Sequence, residues 1–152
     1  MKVYFSLGSN LGDRAQLLEK ALTLLNKEIG NLVSRSSFYE TEPWGFSSNH
    51  SFLNACCLCE TELSPLEVLH RTQQIEKELG RKRKSKNKKY HDRPIDIDLL
   101  LCDDLTINTK ELTIPHPFMQ ERRFVLEPLK EIAPDVIHPV LHISISEMLE
   151  QI

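Results

Sequence analysis

Asp96 and Asp98 are the residues whose type and spacing most directly suggest chemistry, because they alternate with apolar residues in the segment PIDIDLLLC. In a β-strand this alternation places both carboxylates on one face, with Cα atoms about 6.6 Å apart. Carboxylates about 4 Å apart repel by roughly 4 kcal/mol at an effective dielectric of about 20, so a cation or basic partner must offset the repulsion. Oxygen ligands suit Mg²⁺, which one or two carboxylates hold together with water and substrate phosphates. The alternative is two acids exposed on an edge strand.

The segment 81–93, RKRKSKNKKYHDR, contains 8 of the 19 basic residues and a single acid, so it carries a net charge of +7. Because the whole chain carries −3, the remaining residues carry −10. Mutual repulsion favours an extended, mobile loop that a polyanion neutralises, and a solvated loop without a ligand is the alternative. A diacid beside such a loop is the arrangement that phosphoryl transfer needs, because the protein must position the phosphates and neutralise developing charge.

Phe52 and Asn54 are two residues apart in a predicted strand, so an aromatic ring and an amide point the same way. A planar heterocycle could stack on the ring and pair with the amide, although a core Phe and a turn-satisfying Asn are equally consistent. The preceding loop, TEPWGFSSNHS, carries Trp44 and Phe46. Two exposed aromatic side chains in a loop suggest that a ligand or another segment covers them. The turn LGSNLGD could cradle an anion or be a plain turn, and no GxxxxGK[ST] phosphate loop is present.

The composition places these residues in an ordinary globular chain of 152 residues, 40% hydrophobic and 27% charged. This length predicts one compact domain over residues 1–152, with the basic loop at 81–93 as its mobile part. No apolar run is long enough to cross a membrane, so we expect a cytoplasmic protein with reduced thiols. The spacing of the four cysteines, Cys56, Cys57, Cys59 and Cys102, favours small buried hydrophobes over a zinc or redox site.

The elements that must position the candidate residues follow the order βαββαβ. Strands are predicted at 2–7, 31–40, 52–62 and 94–102, with helices beginning after Asp13 and Ser64. A third helix, interrupted near Pro128, and a short helix beginning after Ser144 follow. This order predicts an α+β, ferredoxin-like fold, in which a mostly antiparallel sheet carries helices on one side. A doubly wound parallel sheet is disfavoured, because the strands around residue 45 are joined without a helix.

The segments FYETEPWGF, FLNA, QQIEKELGR, DRPIDIDLLL and TIPHPFMQERRFVLEPL occur in this order over nearly the whole chain. Together they resemble the 6-hydroxymethyl-7,8-dihydropterin pyrophosphokinase family of the folate pathway. The resemblance implies a ferredoxin-like monomer that transfers the diphosphoryl group of ATP to the pterin hydroxymethyl oxygen and releases AMP. It also implies two Mg²⁺ ions, with Asp96 and Asp98 as their ligands, and no nucleic-acid or membrane partner. Tyr90, His91 and Asp92 stand where the family commonly has Trp-Gly-Pro.

The same resemblance assigns a role to each matching residue. Arg81, Arg93, Asp96 and Asp98 are the expected catalytic residues. The expected pterin site comprises Thr41, Trp44, Phe52, Asn54 and Phe124. ATP is expected to contact Gln73, Arg83, Lys84, Leu99, Thr113, His116 and Arg122, and Glu76 is expected to be a polar neighbour of the diacid.

A different class of function competes with this interpretation. A ferredoxin-like sheet can bind RNA, with the basic loop on phosphates and Phe52 stacked on a base. Such a module explains the charge of +7, but the two aspartates would repel RNA, and the aromatic RNA-binding signature is missing.

Overall fold

The computed structural model of the chain describes residues 1–42, 51–80 and 94–152, so segments 43–50 and 81–93 lie outside the described residues. The strands are β1 (Lys2–Ser9), β2 (Asn31–Arg35), β3 (Tyr39–Thr41), β4 (Phe52–Glu60), β5 (Asp96–Cys102), β6 (Ile107–Asn108) and β7 (Thr113–Ile114). The helices are α1 (Arg14–Glu28), α2 (Pro65–Glu78), α3 (Arg123–Ile132) and α4 (Ile145–Glu150), with a 3-10 turn at Met119–Glu121.

The main sheet has the strand order β2-β4-β1-β5, and β3 also pairs with β4. The pairings of β4 with β1, β2 and β3, and of β1 with β5, are all antiparallel. Strands β6 and β7 form a separate two-stranded sheet. The predicted α+β class and the ferredoxin-like arrangement of the sheet are therefore confirmed. The predicted order βαββαβ holds when β2 and β3 are counted as the one strand predicted over residues 31–40. Because β5 ends the strand order, the strand that carries the two aspartates lies at the edge of the described sheet.

The single strand predicted over residues 31–40 is wrong, since the structure divides it into β2 and β3. The division falls at Ser36, whose N–H donates to the Cys56 carbonyl at 2.8 Å. The Ser36 hydroxyl in turn accepts the Cys56 N–H at 2.9 Å, in place of a backbone carbonyl. Residues 36–38 face only two residues of β4, because Arg35 pairs with Cys57 and Tyr39 with Asn54. This bulge shifts the register of β3 by one residue.

The predicted starts of three helices are confirmed by their caps. Asp13 accepts the N–H of the third residue of α1, at 3.1 Å. Ser64 and Ser144 each form both hydrogen bonds of a capping box, with Glu67 and Glu147 as their partners. These reciprocal bonds satisfy N–H groups that have no partner within the helix.

The predicted interruption of the third helix near Pro128 is wrong. Arg122, with an extended backbone, separates the 3-10 turn from α3, and α3 then continues through Pro128 to Ile132. Pro128 is the sixth residue of α3, so its missing N–H removes only one hydrogen bond near the start of the helix. Its ring is buried with the apolar face of α3.

Both faces of the sheet are covered by helices, so the prediction of helices on one side is wrong. One core joins Phe5, Leu7 and Ile97 of the sheet to α1 and α2. A second core joins Tyr4 and Cys56 to α3 and α4. The physical reason is that β4 and β5 bury residues on both faces.

The four cysteines are free and buried, as the sequence predicts. Cys56 lies in the core beneath α3 and α4, whereas Cys57, Cys59 and Cys102 lie in the opposite core. Burial raises the pKa of the Cys56 thiol and the Cys102 thiol. Across residues 1–42, 51–80 and 94–152, no helix has the length and apolar character needed to span a membrane.

Candidate active site

A cavity opens on the sheet face that carries α3 and α4, beyond the part that these helices cover. About 440 Å³ of empty space lies between the residues that line it, and this space includes open solvent. Strand alternation brings side chains of β1, β4 and β5 to this face. The residues that line the cavity are Ser6, Gly8, Thr41, Glu42, Phe52, Asn54, Asp96, Asp98, Arg122 and Phe124.

The two aspartates lie side by side on β5 and face the cavity. Asp96 pairs with Gly8 and Asp98 with Ser6 across the antiparallel ladder. Both carboxylates are partly exposed, whereas Ile97 and Leu99 are buried in the opposite core. Among the described residues, no group of three or more His, Cys, Asp or Glu side chains is arranged to hold a metal ion. A cation at Asp96 and Asp98 would therefore take its other ligands from outside that set, as Mg²⁺ does with water and phosphate.

Gly8 forms the floor of the cavity between β4 and β5. A Cβ atom at this position would lie 3.1 Å from Asn54 Oδ1 and 3.4 Å from Phe52 Cδ1. The absence of a side chain therefore leaves room above the sheet beside both residues. The sequence analysis missed this role, although the alternation of β1 places Gly8 on the same face as Ser6.

The amide of Asn54 has a defined orientation in the cavity. Its Nδ2 donates to Thr41 Oγ1 at 2.6 Å, and the Asn54 side chain is buried. Thr41 pairs across the strands with Phe52, whose ring is also buried. With Nδ2 engaged, Oδ1 is the atom directed to the space above Gly8. The cavity thus presents an aromatic face next to a hydrogen-bond acceptor.

Tyr39, which pairs with Asn54 across the strands, links β3 to the end of α3 by a hydrogen bond. The Tyr39 hydroxyl donates to Glu131 Oε1 at 2.6 Å, and the Ser37 N–H also donates to that carboxylate. The hydrogen bond to Glu131 is the main cause that raises the pKa of Tyr39 to about 12, and it lowers the pKa of Glu131. Tyr39 therefore remains a neutral donor at physiological pH.

Arg122 supplies a buried cation at the cavity wall. Its guanidinium carbon lies 5.2 Å from the centre of the Phe118 ring and 5.6 Å from that of Phe124. Both distances are within the range of cation–π attraction. The Phe118 N–H donates to His116 Nδ1 at 3.2 Å. This bond leaves His116 Nε2 as the atom that can carry the proton of a neutral ring.

Glu76 contacts the diacid strand from the opposite face. Its Oε2 accepts the Ile97 N–H at 2.7 Å, and the side chain is 3% exposed. Ile97 lies between the two aspartates on an edge strand, so α2 supplies the acceptor at this point of the edge. This contact specifies what the sequence analysis could only describe as a polar neighbour of the diacid.

The remaining predicted residues lie in several places. Thr113 and His116 line a second groove, next to Gln120 and the loop that contains His138. Leu99 is buried in the core with α1 and α2, and Gln73 is partly buried on α2. Five predicted site residues lie outside the described residues: Trp44, Arg81, Arg83, Lys84 and Arg93. Three residues that line the cavity were missed by the sequence analysis: Ser6, Gly8 and Glu42. Phe118, whose ring contacts Arg122, was also missed.

Comparison with known proteins gives a consistent result. A family model described as 7,8-dihydro-6-hydroxymethylpterin-pyrophosphokinase matches residues 4–134. A Porphyromonas gingivalis protein named 2-amino-4-hydroxy-6-hydroxymethyldihydropteridine pyrophosphokinase is 54% identical over 138 residues, which cover 90% of this chain and 93% of that protein. A Bacillus subtilis protein of the same name is 45% identical and covers 88% of this chain and 78% of its own length.

A solved structure supports the fold independently. A crystal structure of Plasmodium falciparum HPPK-DHPS superposes with a TM-score of 0.82 and is 19% identical in sequence. The match covers 99% of this chain but 45% of that longer one. At this identity the likeness concerns the fold alone.

Proposed function

The chain belongs to the 7,8-dihydro-6-hydroxymethylpterin-pyrophosphokinase family, and from this membership we propose the reaction that it catalyses. It is a pyrophosphokinase that transfers the β,γ-diphosphoryl group of ATP to the hydroxymethyl oxygen of 6-hydroxymethyl-7,8-dihydropterin and releases AMP. The observation that carries this proposal is one cavity lined by both the Asp96–Asp98 pair and the Phe52–Asn54 pair. The first pair suits a phosphate-bound cation, and the second suits a flat heterocycle.

The pterin would lie between the rings of Phe52 and Phe124, above Gly8. Asn54 Oδ1 would accept a hydrogen bond from a ring N–H or amino group of the pterin, because Nδ2 is held by Thr41. Stacking on aromatic rings contributes about 1–3 kcal/mol per heterocyclic base. These contacts would orient the hydroxymethyl group toward the aspartates, which line the same cavity. Trp44 stays a predicted member of this site.

Asp96 and Asp98 fit the Mg²⁺ ions that the family implies. Their donor set consists of two carboxylates on one face, and Mg²⁺ is usually bound through one or two carboxylates plus phosphate oxygens. When bound there, Mg²⁺ would neutralise charge on the ATP phosphates. Two ions is the number that the resemblance predicts.

The residues of this chain would position the phosphates for in-line attack. Arg122 is held between two rings and would contact phosphate oxygens without a large loss of side-chain freedom. His116 would donate from Nε2, because Nδ1 already accepts the Phe118 N–H. Arg81, Arg83, Lys84 and Arg93 are the proposed phosphate contacts of the basic segment. Gln73, Leu99 and Thr113 are the proposed neighbours of the nucleotide.

The transfer itself breaks one P–O bond and forms another. The hydroxymethyl oxygen attacks the β-phosphorus, and the bond from that phosphorus to the α,β-bridging oxygen breaks. The electron pair of the broken bond leaves with AMP. Asp96 would accept the hydrogen bond of the attacking hydroxyl group, whose proton passes to solvent water as the new P–O bond forms.

The direct test incubates the protein with ATP, MgCl₂ and 6-hydroxymethyl-7,8-dihydropterin and follows AMP and the pterin diphosphate. We expect one AMP per diphosphorylated pterin and no AMP without the pterin. Salt-sensitive RNA binding without AMP formation would instead favour the nucleic-acid module. The monomeric state and the cytoplasmic location stay predictions, which gel filtration and fractionation would check.

A further inference from the structure

We propose that Arg14, which lies outside the cavity, is a positioning residue for the pterin-binding end of the sheet. The inference rests on the proposed function, because it concerns how the same cavity holds its pterin. Arg14 is the first residue of α1. The sequence analysis gave it no role, and it does not line the cavity.

The guanidinium of Arg14 holds two separate parts of the sheet at once. Its Nη1 donates to the Ser51 carbonyl at 3.0 Å and to Ser51 Oγ at 3.1 Å. Its Nη2 donates to Glu40 Oε2 at 2.7 Å. Glu40 belongs to β3, whereas Ser51 immediately precedes β4. One rigid, planar group therefore fixes the distance between these two segments.

These contacts lie next to the residues that line the cavity. Glu40 precedes Thr41 and Ser51 precedes Phe52, and Thr41 and Phe52 are paired across the two strands. Alternation along β3 directs Glu40 away from the cavity face, toward the side that carries α1. Arg14 thus acts from the opposite side of the sheet, on the last described pair of this ladder.

The consequence reaches the pterin site through Asn54. Thr41 Oγ1 accepts the hydrogen bond that orients the Asn54 amide. If β3 moves relative to β4, this bond lengthens, and Asn54 Oδ1 loses its fixed direction. Pterin affinity should then fall. None of the residues proposed to contact ATP belongs to β3 or β4, so the affinity for ATP should be unaffected. Arg14 is partly buried and Glu40 is exposed. Because an ion pair at the protein surface contributes little to global stability, we expect an effect on substrate binding rather than on folding.

The experiment compares Arg14→Gln with Arg35→Gln as a matched control. Arg35 also joins the sheet to α1 through an exposed ion pair, with Glu19 at 2.8 and 2.9 Å, but it does not line the cavity. We expect Arg14→Gln to raise the KM for the pterin roughly tenfold, with kcat and the KM for ATP changed less than about twofold. Arg35→Gln should leave all three parameters at the wild-type values. Thermal melts should show similar stability for the two variants.

A double-mutant cycle identifies the route of the effect. If Arg14 acts through Glu40, Glu40→Gln should raise the KM for the pterin, and the double variant should raise it less than the product of the two single effects. Equal pterin KM values for the two arginine variants would overturn the proposal, as would a parallel rise in the KM for ATP. An inactive wild-type protein would instead contradict the proposed function.

Discussion

Asp98 and the residues of the proposed pterin site are expected to contact different parts of the reactants. Asp98 lies on β5 with Asp96, whereas Phe52 and Asn54 lie on β4 and Phe124 on α3. We predict that Asp98→Asn lowers kcat roughly 10²- to 10³-fold while changing pterin affinity less than about twofold. Activity assays over a range of MgCl₂, with pterin binding measured by fluorescence, check this division. A loss of pterin affinity as large as the loss of activity would contradict it.

Gly8 allows a sharper test of the cavity floor. In Gly8→Ala, the added methyl group would lie 3.1 Å from Asn54 Oδ1 and 3.4 Å from the Phe52 ring. It would therefore push Asn54 Oδ1 away by a few tenths of an ångström and fill the space beside the Phe52 ring, where the pterin is proposed to lie. We expect pterin affinity to fall at least about tenfold, a loss of about 1.4 kcal/mol or more, with little change in the affinity for ATP. Isothermal titration with each ligand measures the two effects, and equal losses for both ligands would show general disruption of the sheet.

The positions of some site residues can be predicted from the sequence, whereas those of others cannot. The alternation along one strand is enough to put Phe52 beside Asn54 and Asp96 beside Asp98, because strand geometry alone determines which face a side chain occupies. The contact of Asn54 with Thr41 depends instead on the register between β3 and β4, which the bulge after Arg35 shifts. Such a bulge arises from the side-chain bond of Ser36 to the facing strand, which no local pattern indicates.

At the scale of elements, β5 depends on α2 for a hydrogen-bond acceptor along the edge that faces away from β1. We predict that Glu76→Ala destabilises the protein by about 1–3 kcal/mol, because it removes the carboxylate that accepts the Ile97 N–H. Glu76→Gln keeps an acceptor oxygen at nearly the same position and should retain most of the stability and activity. Urea denaturation and kinetic assays of both variants check this expectation. If Glu76→Gln is as damaging as Glu76→Ala, the negative charge itself is required.

The elements that the sequence predicts best are those with local signals. Ser64 and Ser144 mark helix starts, because a capping box is built from residues only three positions apart. The end of the 3-10 turn at Arg122 and the continuation of α3 through Pro128 were not predicted. The packing of α3 against β4 determines that course, and tertiary contacts of this kind override the local effect of a proline near a helix start.

At the scale of the whole molecule, the two faces of the sheet differ: one is buried in a core, and the other also carries the candidate active site. The face toward α1 and α2 is buried by an apolar core, whereas α3 and α4 cover only part of the other face. The expectation of a ferredoxin-like fold was correct, but its usual open face is here partly closed. The C-terminal helices therefore supply both a second core and, through Arg122 and Phe124, one wall of the cavity.

A buried histidine in the C-terminal segment should make the stability of the whole fold depend on pH. His138 is 4% exposed, and its Nδ1 accepts the N–H groups of Val140 and Leu141 at 3.2 and 3.0 Å. Burial, followed by repulsion from His142, lowers the pKa of His138 below its ordinary value of 6.5. Protonation would therefore place a charge in a buried site and remove the acceptor of both bonds.

The sign of the effect follows from the direction of that shift. Because the pKa of His138 is lower in the folded chain, the unfolded chain binds more protons at this residue as the pH falls through 6.5. The free energy of unfolding therefore decreases as the pH falls through this range. We predict that His138→Asn, whose amide oxygen can replace Nδ1 as the acceptor, shows a smaller loss of unfolding free energy between pH 7 and pH 5 than the wild-type protein. Urea denaturation at each pH measures both slopes, and the difference between them isolates His138 from the other titrating groups. Identical slopes would mean that His138 titrates normally and that its two backbone bonds do not oppose protonation.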